Sequence, residues 1–453
     1  FVLNETPFLL DRPQVFLLGP NEPLSDAPQV IADRFLERTQ DYWLDWVRAL
    51  SIPPDYQEAV IRAAITLKLC EYEETGGIVA ALTTSIPEYQ GTGRNWDYRF
   101  CWLRDSFFTV KALNALGVTK TMEDYLDYVL NLATGAPDGY MQPLFGLGHE
   151  RIITEEECPH LAGYRGNAPV RRGNAAYTQV QNDGYGSVIL AVSQCFFDER
   201  LPRLGGTDLF ERLENLGHQA VARWNTPDAG LWEFRTRESI HTHSALMCWG
   251  ACDRLARIAA QLGLPDRASF WAGHADTIRD AIEARGWNPR LESYVMTFDG
   301  EDLDASLLLM TEVGYTTGAN ARYQSTVAAI EEQLRQGHHL FRYKAPDDFG
   351  TPETAFNACT FWLIDALCRL PALGKGVAAG GLAVALEAAL KHHEGLWLGW
   401  SGRAVEDATD DLRLVDEGNV TYAALDLTPE DIAGYYEGIS NSVLWPLCHY
   451  RPD

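Results

Sequence analysis

The feature that most constrains this chain is the rhythm of its connections. Val30, Ile31, Phe35, Trp43, Trp46, Val47 and Leu50 mark one amphipathic helix, entered at Asp26 with Pro28 near its first turn. Asp55, with Glu58 three residues on, opens a second that runs to Gly76-Gly77. Similar patterns predict helices near 104–117, 120–134, 175–199, 206–224, 243–263, 265–285, 304–312, 320–338 and 353–369. The links between them alternate. Those at 51–54, 118–119, 201–205 and 263–264 are short, whereas those at 77–103, 135–174, 225–242, 286–303 and 339–352 are long. Short links make antiparallel helical hairpins. A ring of such hairpins sends every long loop to one end, and long loops are usually functional. The spacing therefore predicts a mainly α chain, a helical barrel with one elaborated mouth. A helical repeat array would need a recurring unit of fixed length, and none recurs.

Composition narrows the function. Of 453 residues 46% are apolar, ample for a large core, and no apolar run is long enough for a membrane span. A net charge of −26 without a Lys/Arg stripe argues against nucleic acid and against an anionic membrane. The nine cysteines include no CxxC pair, and Cys248 and Cys252 lie one turn apart in an apolar stretch, which suits buried reduced thiols in a soluble cytoplasmic protein. The chain opens on Phe1 without the zones of a signal peptide and reads as a fragment whose start is missing. Val15-Phe16-Leu17-Leu18, closed by Gly19-Pro20, predicts a short strand, the tail of a β domain over 1–26. Oligomeric state is left open.

The long loops carry the chemistry. Residues 94–105 read RNWDYRFCWLRD, with two Trp, three Arg and two Asp. Aromatic faces stack on the C–H faces of sugars, and Arg and Asp hold hydroxyls through directional hydrogen bonds. A structural ion-pair network is the competing reading of the same stretch. Trp232-Glu233 lies in DAGLWEFR, 228–235. A carboxyl beside an indole is partly desolvated and can keep a proton for delivery to a glycosidic oxygen. His241 and His243 stand two apart ahead of a helix with no third ligand nearby, so no metal is expected.

In order, NWDYRFCWLRDSFFTVKALNALG (95–117), GYRGNAPVRRGNAAYTQVQNDGYG (163–186), GLWEFRTRESIHTHS (230–244) and LDASLLL (303–309) resemble the landmarks of glycoside hydrolase family 15. The resemblance spans about 27–370 and implies an (α/α)6 barrel, a preceding β-sandwich, and inverting hydrolysis of α-glucosides of glucoamylase, glucodextranase or trehalase type. It implies no cofactor. By motif, Arg104 and Asp105 match its substrate-holding pair, Glu233 its general acid, and Trp96, Trp102 and Trp232 the aromatic surroundings of the first sugar subsite.

After Arg369 the pattern changes. KGVAAGGLAVALEAALKHHEGLWLGWSGR (375–403) and GNVTYAALDLTPEDIAGYYEGISNSVLWPLCHYR (418–451) resemble the start of a trehalose-6-phosphate synthase of glycosyltransferase family 20, a short α/β fragment over 371–453. Gly380 and Gly381 match its glycine loop, and Tyr436 and Trp445 its glucose-6-phosphate contacts. Two neighbouring genes, both truncated, thus read as fused. The hydrolase family's last helices bear a Glu acting as general base, and no loop here matches it. Glu353 is the expected substitute, at the start of the helix after the last long loop and facing the mouth. The Ala-rich stretch 381–391 is expected to form a helix in the slot of a missing twelfth barrel helix. A transferase fragment and a non-catalytic sugar-binding barrel are the competing functions.

Overall fold

The computed structural model describes residues 13–19, 23–53, 57–135, 139–201 and 204–371. Gly380, Gly381, Tyr436, Trp445 and the helix expected over 381–391 lie outside the described residues. The chain divides into two units, 1–51 and 52–453.

In the first unit, α1 (Pro28–Arg48) starts with Pro at its first turn, where a missing N–H costs nothing. Trp43 meets Tyr42 and Trp46 edge-on at 5.4 and 5.7 Å. The strand expected at 15–18 is not formed: residues 13–18 adopt no regular secondary structure. A lone extended segment gains no ladder hydrogen bonds, and apolar character alone does not supply them.

The second unit carries α2 (Gln57–Leu69), α3 (Leu103–Ala115), α4 (Lys120–Thr134), α5 (Asp183–Val192), α6 (Thr207–Arg223), α7 (Thr242–Gln261), α8 (Pro265–Arg285), α9 (Ala321–Leu334) and α10 (Asn357–Arg369). Their faces follow the apolar spacing. On α4, Met122, Tyr125, Val129 and Leu132 recur at three and four residues and are buried, while Lys120 and Asp124 pair on the outside. Helix α5, largely apolar after Asp183, is buried along its whole length. Helices α3, α5 and α7 pack in succession as an inner row, with α4, α6 and α8 outside them. The row continues through a 310 helix, Ala305–Met310, to α10. Phe108 of α3 stacks on Trp362 of α10 at 6.0 Å, closing the ring. Within the second unit this is the expected ring of hairpins; α1, expected as its first helix, falls in the first unit.

Most predicted helices fall within a few residues of their places, and the exceptions have local causes. Helix α2 stops at Leu69, short of Gly76-Gly77, because Glu71–Tyr72 turns back and pairs with Gly77–Ile78. The stretch 175–199 is helical only over 183–192, flanked by 310 turns. Asn174 caps the first turn by accepting from Ala176 N at 3.0 Å, and Gln179 is extended. Among the described residues, five short antiparallel ladders lie in the connections, including Cys101–Trp102 with Leu144–Phe145. No helix among the described residues is long and apolar enough to cross a membrane.

Candidate active site

A pocket opens where four long connections meet: 80–105, 174–179, 231–235 and 342–356 each line it. Trp96, Trp102, Arg104, Asp105, Trp232 and Glu233 all contribute to its wall. The convergence expected from loop alternation is thus what the fold produces.

Glu233 is the most constrained group there. It sits at φ +61°, a left-handed conformation that costs a non-glycine residue on the order of 1 kcal/mol or more and persists only when its surroundings impose it. Here Glu233 N donates to Gly230 O, Phe234 N to Ala229 O, and Ala229 N to Val180 O, all within 2.9–3.1 Å. The side chain is then gripped on one oxygen. Oε1 accepts from Trp102 Nε1 at 2.6 Å, Arg104 Nη2 at 3.2 Å and Gln181 Nε2 at 3.3 Å. Oε2 has no hydrogen-bond partner among the described residues.

The strand Cys101–Trp102 delivers the chain directly into α3, so Arg104 and Asp105 occupy its first turn. Arg104 is buried and also donates from Nη1 to Gln181 Oε1 at 2.8 Å and Asp183 Oδ2 at 3.2 Å. Its Nε lies 3.8 Å from Asp105 Oδ2. Burial pushes the Asp105 carboxyl up to about 6, against the opposing pull of Arg104 and with help from the Glu233 charge.

The indole beside the Glu233 carboxyl is not that of Trp232. Its Nε1 donates to Asp304 Oδ1 and Oδ2 at 3.0 and 3.1 Å, and Trp102 takes the place against Glu233. Asp304 itself caps the 310 helix by accepting from Ser306 N at 2.8 Å, which explains the LDASLLL stretch. Neighbours along a turn point apart, and at 232–233 each side chain finds its own anchor. Trp96 is not a bare face either: the Arg171 and Arg235 guanidinium groups lie 4.7 and 4.3 Å from its ring centroid. The structural-network reading of 94–105 therefore holds in part. Arg94 is a two-pronged donor to Asp347 at 2.8 and 2.8 Å, and Asp97 binds Arg99 in the same way.

Glu353 is displaced from its expected place. It precedes α10 by four residues, is absent from the pocket wall, has a side chain 40% exposed, and meets Arg94 Nε at 3.7 Å. The helix starts late because Phe356 N donates to Leu340 O at 2.9 Å, holding the preceding residues extended. The remaining wall carboxylates, apart from Asp105, are engaged. Glu88 binds Arg342, Asp347 binds Arg94 and Tyr343, and Asp348 accepts from Arg235 N and Thr236 N. Sequence reasoning passed over Gln181, Asp183 and Asp304; the signal for the first two was a polar run, Gln181-Asn182-Asp183, leading into the apolar run Val188–Val192.

The family profile of glycosyl hydrolases family 15 matches residues 54–412. The chain belongs to that family. Glycosyltransferase family 20 matches 376–453, so 376–412 falls within both matches. The trehalase of Mycolicibacterium smegmatis is 34% identical over 368 residues, 80% of this chain and 54% of that one. A trehalase of Thermoplasma volcanium is 32% identical over 344 residues, 75% of this chain and 54% of its own. The chain spans about half the length of these relatives. A trehalose-6-phosphate synthase of Sinorhizobium fredii is 51% identical over 89 residues, 19% of each chain. Among solved structures, a wild-type glycosidase superposes with a TM-score of 0.57 at 17% identity, covering 80% of this chain and 96% of that one. A bacterial glucoamylase complexed with acarbose gives 0.56 at 14%, covering 89% and 61%. These structural likenesses speak for the fold.

Proposed function

We propose that this family 15 chain hydrolyses an α-glucosidic bond, with trehalose as its substrate. The observation that carries the reading is the one-sided grip on Glu233. Three donors hold Oε1, and Oε2, which has no hydrogen-bond partner among the described residues, is the proton donor to the glycosidic oxygen in this reading. Arg104 and Asp105 hold the sugar hydroxyls, and Trp96, Trp102 and Trp232 shape the wall. Trehalose is preferred over longer glucans because the curated relatives at 32–34% identity are trehalases. The domains we propose are 1–26, 27–370 and 371–453. The first two are the remnant of a β-sandwich and the hydrolase barrel. The third is the start of a family 20 domain, a reading that the family 20 match over 376–453 supports.

Inversion calls for a second carboxylate roughly 6.5–9.5 Å from the acid to activate water. Glu353 is the proposed base; its carboxylate lies 3.7 Å from Nε of Arg94, a residue of the pocket wall. Glucose release from trehalose and maltose tests both assignments. Glu233→Gln should lose about 10²–10⁴ in rate; an unchanged rate would remove it as the acid. A loss of similar size in Glu353→Gln would make it the base, and a rate within about threefold would strike it out. Heat on titrating trehalose with no glucose formed would leave a sugar-binding barrel instead.

A further inference from the structure

The two histidines of the HTHS stretch have no part in the chemistry so far, yet one of them underlies the acid. His241 is buried at the start of α7, fixed through the backbone by a bridge to Thr297, while the next residue, Thr242, donates its N–H to Met296 O at 2.9 Å. Its Nδ1 lies 2.7 Å from Asp228 Oδ1. Asp228 is fully buried, and its Oδ2 accepts from Ser244 Oγ at 2.7 Å and Asn182 N at 2.8 Å. The carboxylate sits at the centre of this cluster, so the Ser and His do not face each other as nucleophile and base.

What the cluster does is present the flat of an imidazole to the turn that carries Glu233. Gly230 has φ +66°, and a Cβ there would meet His241 Cε1 and Nε2 at 2.8 Å. The Phe234 ring lies nearly parallel to the imidazole, 20° apart at 5.8 Å. The turn thus touches the ring on both sides of Glu233, at Gly230 and at Phe234, and the ring is tied to Asp228 at the turn's own start. We infer that His241, locked by Asp228, is a positioning residue that sets the backbone of 229–234 and so aims the Glu233 carboxyl. This rests on the assignment of Glu233 as the acid. A displacement of about 1 Å in a catalytic group costs on the order of 10²-fold in rate, so a support of this kind is visible in turnover.

The test uses the full chain and two readouts. The first is the indole N–H resonance of Trp102, assigned with Trp102→Phe, which reports its 2.6 Å bond to Glu233. The second is kcat and KM for trehalose. Gly230→Ala pushes a methyl into the imidazole. Gly263→Ala is the control: its φ is +71° with nothing within 4 Å of the added carbon, so it carries the backbone cost alone. We expect Gly263→Ala to leave the resonance in place. Gly230→Ala should move it and lower kcat at least about tenfold, with KM within about twofold. His241→Asn alone, which keeps a donor toward Asp228 but removes the ring, should also move the resonance. The inference is overturned if Gly230→Ala matches Gly263→Ala in the resonance, or if His241→Asn leaves the resonance in place. The resonance decides this whatever the rate. Full glucose release by Glu233→Gln would sink the acid assignment alone.

Discussion

Asp105→Asn is expected to make the protein more stable and less active, and the two effects separate with pH. The Asp105 side chain is 13% exposed, and burial raises its carboxyl from 3.8 to about 6. An acid whose folded value lies above its unfolded one binds its proton more tightly when folded. Its favourable contribution is complete below the unfolded value and is lost as pH rises through the folded one. The gap of about 2.2 pH units, at about 1.36 kcal/mol each, gives roughly 3 kcal/mol of destabilisation fully expressed above pH ~7. The attraction of Arg104 is already contained in that net value. An amide of the same shape removes the penalty. Thermal unfolding followed by dye fluorescence should therefore show Asp105→Asn melting a few degrees above the unmodified chain at pH 7.5, with the difference gone at pH 4. Glucose release should fall, since an amide cannot replace a carboxylate acceptor for sugar hydroxyls. An equal difference at both pH values, or a lower melting point at pH 7.5, would refute the burial argument.

The same titration predicts that kcat/KM for trehalose falls as pH drops through about 6, and a pH–rate profile flat to pH 5 would contradict it. Trp271→Phe removes the indole donor from Glu214 Oε1 at 2.7 Å, between α8 and α6, and should cost about 1–3 kcal/mol in urea unfolding while leaving the folded chain's turnover unchanged. Gly186→Ala places a methyl on the Met247 carbonyl where α5 crosses α7; overpacking there should cost at least about 1–3 kcal/mol, read as a lower melting temperature.

Much of this was legible because it depends on local pattern. The alternating links gave the hairpin ring, and Lys120–Thr134 and Pro265–Arg285 were readable to the residue from apolar spacing and from Val118-Thr119 or Pro265 at their starts. Residues quoted as motifs do meet at one pocket. The failures lie where a tertiary partner decides. Nothing local says that Trp232 turns to Asp304 while Trp102, 131 residues away from Glu233, takes the carboxyl. Likewise Glu353 was read as a helix start from Thr351-Pro352-Glu353, but a backbone bond to Leu340 keeps that segment extended. The isolated strand at 15–18 was inferred from composition without a partner to pair with.

The grip on Glu233 also has a bearing on how the molecule comes together. Its three donors stand 131, 129 and 52 positions earlier in the chain. Each α-hairpin can form from near neighbours, but these contacts close long stretches of chain and must await the docking of α3 and α5 beside the 228–234 turn. Helical signal in a refolding experiment should thus appear before any response from the Trp102 indole. It follows that a cut in the link between α5 and α6 would leave the donors on one piece and Glu233 on the other. Reassociation of the two pieces would then be reported by the indole itself, without any need for turnover.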